Sequence, residues 1–209
     1  MVAKKGTVEL RGLEIALARI EVVGDTPLIM HAWADKAIQM IRDKQAGRAK
    51  PKSEARDEAA IEIEYKQSAY WIAPGQPGFP ATAFKAATIG ACRQYAILPM
   101  TTAKTVMFIE GVTNERGEAL IPLEGVMQRR TDMVRLETGV ADIRYRYQVW
   151  PWRAVLPVRF NASVLSLEQL VNLVNAGGMG GVGEWRPSAP KSSTGDFGRY
   201  HVGASVLTA

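Results

Sequence analysis

Two stretches of the chain concentrate cations in patterns that suit a polyanion. From Arg42 to Lys52 the sequence reads Arg-Asp-Lys-Gln-Ala-Gly-Arg-Ala-Lys-Pro-Lys, five cations against one acid in eleven residues, with no large apolar side chain to bury. Gly47 and Pro51 mark a turn or projecting loop, taken as residues 42–60, so Arg42, Lys44, Arg48, Lys50 and Lys52 stand in water; a merely solubilising loop has the same composition. Between Thr105 and Pro190 there are nine Arg and no Lys. An Arg fork binds phosphate bidentately and its plane stacks on bases, which Lys cannot do. Arg129, Arg130, Arg144 and Arg146 are the candidates here. In Arg144-Tyr-Arg-Tyr-Gln-Val-Trp-Pro-Trp-Arg153 a strand puts Arg144 and Arg146 on one face and Tyr145 and Tyr147 on the other. A half-buried strand, rings inward and guanidinium groups in solvent, reads the same way.

A third stretch offers backbone rather than side chains. Gly177 to Gly183 holds five Gly in seven residues, then Glu184-Trp-Arg-Pro187, and later Gly195-Asp-Phe-Gly-Arg-Tyr200. Exposed amides at Gly178, Gly180, Gly181 and Gly183, with Arg186 and Arg199 nearby, can lie against a phosphate backbone. The Gly-Lys-Ser/Thr ending of a P-loop is missing, and the run follows a helix where a dinucleotide fingerprint follows a strand. A tight helix-to-strand connection is the structural alternative. A helix start after Pro74-Gly-Gln-Pro-Gly-Phe-Pro80 adds Thr82 and Lys85 as an anion site, with Arg93 further along.

Catalytic chemistry is poorly provided for. Asp35 and His31 are the candidates for proton transfer at a 2′-hydroxyl, and neither belongs to a visible triad. One Cys and two His exclude an internal disulfide and a zinc site of four Cys/His ligands, so no metal and no cofactor is expected. No apolar run approaches the ~18 residues that span a bilayer, and a cytoplasmic protein with no membrane partner is expected. At 209 residues, 47% hydrophobic and net charge +5, the composition is that of a folded domain with room for a core.

These residues need elements to hold them. Periodicity predicts strands over 13–23, 69–73, 106–112, 119–123, 133–137, 143–150 and 155–161. It predicts helices over 33–41, from Ser53 into 61–65, over 81–95, and over 166–176, the last with Ser166 and Gln169 as a capping box. Asn114 and Gly117 favour a hairpin. The order suggests an α+β, ferredoxin-like (RRM-like) fold of two βαββαβ-type halves, residues 1–125 and 126–209 of one domain.

Three stretches together resemble the RAMP superfamily, the ferredoxin-like RNA-binding backbone subunits of CRISPR effector complexes. They are Thr26-Pro-Leu-Ile-Met-His31, the helix start Phe79-Pro-Ala-Thr-Ala-Phe-Lys-Ala-Ala-Thr-Ile-Gly-Ala-Cys-Arg93, and Gly177–Gly183 with Gly195-Asp-Phe-Gly-Arg-Tyr. Ala81 and Ala83 stand where the family favours Gly or Ser, and the loop carries Glu184-Trp-Arg-Pro in an unusual place. The chain is also similar to uncharacterised tailed-phage proteins with a Gly-Val-Gly-Glu-Trp-Arg-Pro motif, which would place it in a host cytoplasm. The resemblance implies a subunit that oligomerises into a filament along single-stranded RNA, beside other effector-complex subunits, gripping the strand at the glycine run and the Lys85 helix. It also implies Asp35 as the counterpart of a loop Asp that cuts target RNA in one CRISPR class. Trp150, Pro151 and Trp152 are the candidate apolar rim for self-association. A phage protein that binds or anneals single-stranded DNA, and a non-enzymatic assembly protein, remain as alternatives.

Overall fold

The small and β-branched residues Ala18, Ile20 and Val22 alternate with exposed Ile15 and Leu17, so the first strand buries one face and leaves the other to solvent. In the computed structural model, which describes residues 12–33, 35–48, 57–95, 98–135, 139–190 and 194–208, this strand is central to a mixed α+β fold. In chain order the elements are β1 (Ile15–Gly24), β2 (Leu28–Ile29), α1 (Asp35–Gln45), α2 (Glu58–Ser68), β3 (Tyr70–Ala73), β4 (Gln76–Pro80), α3 (Ala81–Tyr95), α4 (Met100–Val106), β5 (Met107–Ile109), β6 (Val112–Thr113), β7 (Ala119–Arg135), β8 (Ala141–Asn161), α5 (Leu167–Gly180) and β9 (Tyr200–Thr208).

The strands join in one antiparallel sheet of order β3-β4-β7-β8-β1-β9, with β2 and β5 also on β8 and β6 on β7. Ile20 faces Leu156 and Val22 faces Ala154 across β1 and β8. On that buried side Phe84, Ile89, Leu170, Leu173 and Val174 of α3 and α5 close the core. Phe79, Phe84, Tyr200 and Trp152 run through it as successive edge-on rings 5.8–6.2 Å apart. Burial pushes the Tyr200 phenol far above its ordinary pKa.

Several elements differ from the sequence reading. The expectation of two βαββαβ halves gives way to one continuous sheet, because β7 and β8 are single strands of 17 and 21 residues rather than pieces of separate units. A register shift between Gly125 and Met127 lies opposite Trp150-Pro-Trp and accommodates the proline inside β8. The supposed rim is therefore interior in part, with Trp152 buried and its Nε1 donating to the Thr26 carbonyl at 2.9 Å. Within the Pro- and Gly-rich stretch 74–80, residues 76–80 are a strand, pairing with β3 and β7. The basic loop begins later than expected, since Arg42 and Lys44 form the last turn of α1, where cations complement the helix dipole.

The glycine run changes most. Gly177, Gly178 and Gly180 belong to α5, whose N-terminus carries the expected capping box. A side chain at Gly177 would meet the α3 backbone at Ala87 and Thr88, and one at Gly178 would enter the Tyr200 carbonyl. A side chain at Gly180 would make ordinary van der Waals contact with Ser188 at 3.5 Å. Gly178→Ala is therefore expected to destabilise the protein by about 2–3 kcal/mol through overpacking, a drop of roughly 5–10 °C in Tm. Gly180→Ala should stay within about 0.5 kcal/mol; thermal denaturation of both variants checks the contrast.

Candidate nucleic-acid interface

Where β1 ends, three distant segments run together. Asp25 N donates to the Arg199 carbonyl (2.8 Å), Gly198 N to Pro27 (2.9 Å), Val182 N to Gly198 (2.9 Å) and Glu184 N to Ile29 (3.1 Å). Arg199 N donates to Thr26 Oγ1 at 2.9 Å, and His201 Nδ1 to Asp25 Oδ1 at 2.6 Å. Gly183, with φ +84, passes so close to the Ile29 carbonyl that a Cβ would collide with it. Gly181 N is taken by Gly177 and Gly178 carbonyls at the end of α5. The row of free amides expected from the sequence is thus largely used inside the protein.

Beside this seam lies a cleft of about 620 Å³ between α3 and the end of α5. Its lining includes Ala83, Ala87, Gly90, Gly177 and Gly180, small residues that let a ligand approach the helices closely, beside the larger Phe79 and Met100. Gly181, Gly183, Arg93, Arg186, His31 and Glu184 complete its wall. Arg186 Nη1 donates to the Gly183 carbonyl at 3.0 Å, and Arg93 Nε contacts Met100 Sδ at 3.2 Å. His31 Nδ1 donates to Glu184 Oε1 at 3.0 Å. That hydrogen bond, helped by the charges of His31, Arg146 and Arg186 and opposed by desolvation, holds the Glu184 carboxyl below the ordinary glutamate range. Tyr70, also in the wall, has its phenol pushed up to about 12 by burial and by Glu118 and Glu184, so it stays a neutral donor.

Behind the cleft, Arg130 and Arg146 face each other directly across β7 and β8. Like charges so placed repel, and the surroundings answer it. Asp132 accepts from Arg130 Nε through both oxygens at 2.8 and 3.0 Å, and Gln148 accepts from its Nη1 at 3.2 Å. Trp185 lies over both guanidinium groups, 5.4 and 5.2 Å from ring centre to carbon, and Phe197 lies 4.7 Å from Arg130. Trp185 adopts φ 53, left-handed backbone that a bulky residue rarely takes. Arg146 is 4% exposed, and burial lowers its pKa.

The cleft thus brings together Arg93, Gly180, Gly181, Gly183, Arg186 and His31, but the other candidates lie elsewhere. Lys85 turns to α4, donating to the Lys104 carbonyl at 3.0 Å with its ammonium 4.1 Å from the Phe108 ring, and desolvation lowers its pKa. Thr82 is exposed in the first turn of α3. Arg129 is on the opposite face of the hairpin, paired with Glu62 and over Tyr65. Arg144 pairs with Asp142 (3.3 Å), Arg199 with Asp196 (2.6 Å) and Arg48 with Asp43 (3.1 Å). Gly178 is buried against Tyr200. Asp35 opens α1, and Lys50 and Lys52 fall outside the described residues. Among the described residues no group of three or more His, Cys, Asp or Glu is placed to hold a metal ion, and no helix is long and apolar enough to cross a membrane. Sequence reasoning missed Glu184, Trp185, Phe197 and Asp132 as parts of this region. Glu184-Trp-Arg-Pro had signalled itself only as a departure from a familiar pattern.

No protein-family model matches the chain, and no curated protein matches it. A solved structure does. The chain is similar to one in the cryo-EM structure of the type III-B Cmr-beta bound to cognate target RNA, with a TM-score of 0.52 and 9% identity. The alignment covers 93% of this chain and 60% of that one, so this chain spans well under two thirds of its neighbour's length. At that identity the likeness is one of fold.

Glu184 gives the site a pH signature. Its carboxyl is depressed in the folded state, so it contributes stability above the ordinary glutamate pKa of about 4.3, and that contribution disappears as pH falls through the lower native value. Melting curves between about pH 7 and pH 3 should therefore fall more steeply for wild type than for Glu184→Gln.

Proposed function

We propose that this chain is a RAMP-like, ferredoxin-type subunit that binds single-stranded RNA in the cleft between α3 and the end of α5. The carrying observation is the fold likeness, over 93% of the chain, to a chain in the structure of type III-B Cmr-beta bound to cognate target RNA. The element order supports it: β1, α3, β7, β8, α5 and β9 follow one another as βαββαβ, and their strands lie as β7-β8-β1-β9, the arrangement of one ferredoxin-like unit. The cleft itself supplies a run of small residues along α3 and α5 and cations at Arg93 and Arg186. Nothing in this reading requires bond cleavage; the protein holds the strand.

Self-association along the strand is part of the proposal. The far end of the β7–β8 hairpin leaves Met133, Val140 and Ile143 exposed, an apolar surface fit for a neighbouring copy. A repeated head-to-tail contact of this kind builds an open helical array, within an effector-type complex or alone.

Fluorescence anisotropy with matched RNA and DNA oligonucleotides tests the reading. RNA should bind more tightly than DNA of the same sequence, with affinity falling steeply between about 50 and 200 mM salt. Arg93→Ala and Arg186→Ala should each weaken binding about three- to tenfold and reduce the log–log salt slope by about 0.7. Equal affinity for DNA would favour a single-stranded DNA protein, and salt-insensitive or absent binding would leave an assembly protein. In mass photometry the oligomer should lengthen with the RNA; one copy at every length would remove the self-association.

A further inference from the structure

Three basic side chains line the cleft, Arg93, Arg186 and His31, against a single carboxylate, Glu184. That carboxylate is the point on which the local positive charge converges. Oε1 accepts from His31 Nδ1 at 3.0 Å, Oε2 lies 3.8 Å from Arg146 Nη1, and the charge of Arg186 also acts on it. Both His31 and Glu184 remain open to solvent, with side chains 42% and 36% exposed.

The guanidinium behind it is incompletely served. Arg146 Nε and Nη1 are buried with no hydrogen-bond partner among the described residues, and a buried donor left unpaired costs free energy. Glu184 is the carboxylate within ion-pair range of it. A short retraction would turn that 3.8 Å approach into a hydrogen bond, at the expense of the contact with His31. Glu184 thus has two positions of use, one in the cleft and one against Arg146. The left-handed backbone at Trp185 belongs to the same feature, since it sends the Trp185 ring over Arg146 while Glu184 lines the cleft.

We propose that Glu184 is an internal stand-in for phosphate: it fills an anion subsite beside His31 and Arg186 in the unliganded chain, and a phosphodiester of single-stranded RNA displaces it onto Arg146. This rests on the RNA reading of the cleft. The displacement lowers affinity, because the strand must first remove a resident anion, and the new contact with Arg146 returns part of that loss. An anionic ligand is thereby coupled to a buried charge pair it does not touch.

The test is titration of a fluorescent single-stranded RNA at several salt concentrations against wild type, Glu184→Gln, Arg146→Met and the double variant. Glu184→Gln should bind roughly fivefold more tightly. Arg146→Met should bind more weakly than wild type, since the carboxylate has no retreat, and that loss should vanish in the Glu184→Gln background. Unchanged or weaker binding by a Glu184→Gln chain that is folded at the assay temperature overturns the stand-in and leaves the RNA reading intact. Salt-insensitive or absent RNA binding by wild type and variants overturns both. Should the variants not fold, the ring ¹⁵N resonances of His31 in the wild-type protein carry the test: they should move on saturation with RNA as Glu184 leaves, and unmoved resonances overturn the proposal.

Discussion

Three backbone segments, residues 25–31, 181–184 and 197–201, run within hydrogen-bonding distance of one another, and glycine at the crossing points is what allows it. With a side chain at Gly178, α5 could not approach β9; with one at Gly183, the chain could not pass Ile29. The cleft exists because α5 ends there, against α3 on one side and the strap after β1 on the other. Its wall residues, His31 and Glu184, come from two of the three segments and meet only because the backbones do. The glycines therefore act on the site indirectly, through where they let the surrounding chain go.

Local chemistry was legible in the sequence wherever a short stretch decides its own conformation. The capping box at Ser166 and Gln169, the bounds of α3 and the Asn114–Gly117 hairpin turn all stand where the residues indicate. What failed depended on distant partners. Gly177 and Gly178 read as loop formers but are helical, because packing against Thr88 and Tyr200 outweighs their poor helix propensity. β8 reads as two strands because of Pro151, and only the bulge at Trp150-Pro151, where two residues of β8 oppose one of β7, shows why one suffices. His31 and Glu184 are 153 residues apart, beyond any spacing rule.

The arginines illustrate the same limit in electrostatics. A count of nine without a lysine suggests an open cationic surface, yet Arg153 pairs with Glu124, Arg159 with Glu110, Arg144 with Asp142 and Arg129 with Glu62. Each such pair is half-exposed and contributes little to stability, but together they neutralise four of the nine. The cations that retain reach are those on the cleft wall, where carbonyl or sulfur atoms rather than carboxylates are their partners.

The strand order also constrains how the protein can be made. β1 leaves the ribosome well ahead of both of its sheet neighbours: β8 begins at Ala141 and β9 at Tyr200. Until then its row of buried aliphatic residues has no ladder to join and no core to enter. An emerging chain must carry an unpaired, sticky strand until β8 and β9 are made. A nascent-chain chaperone, or slow release from the ribosome, would matter more to this protein than to one whose first strand pairs with its second.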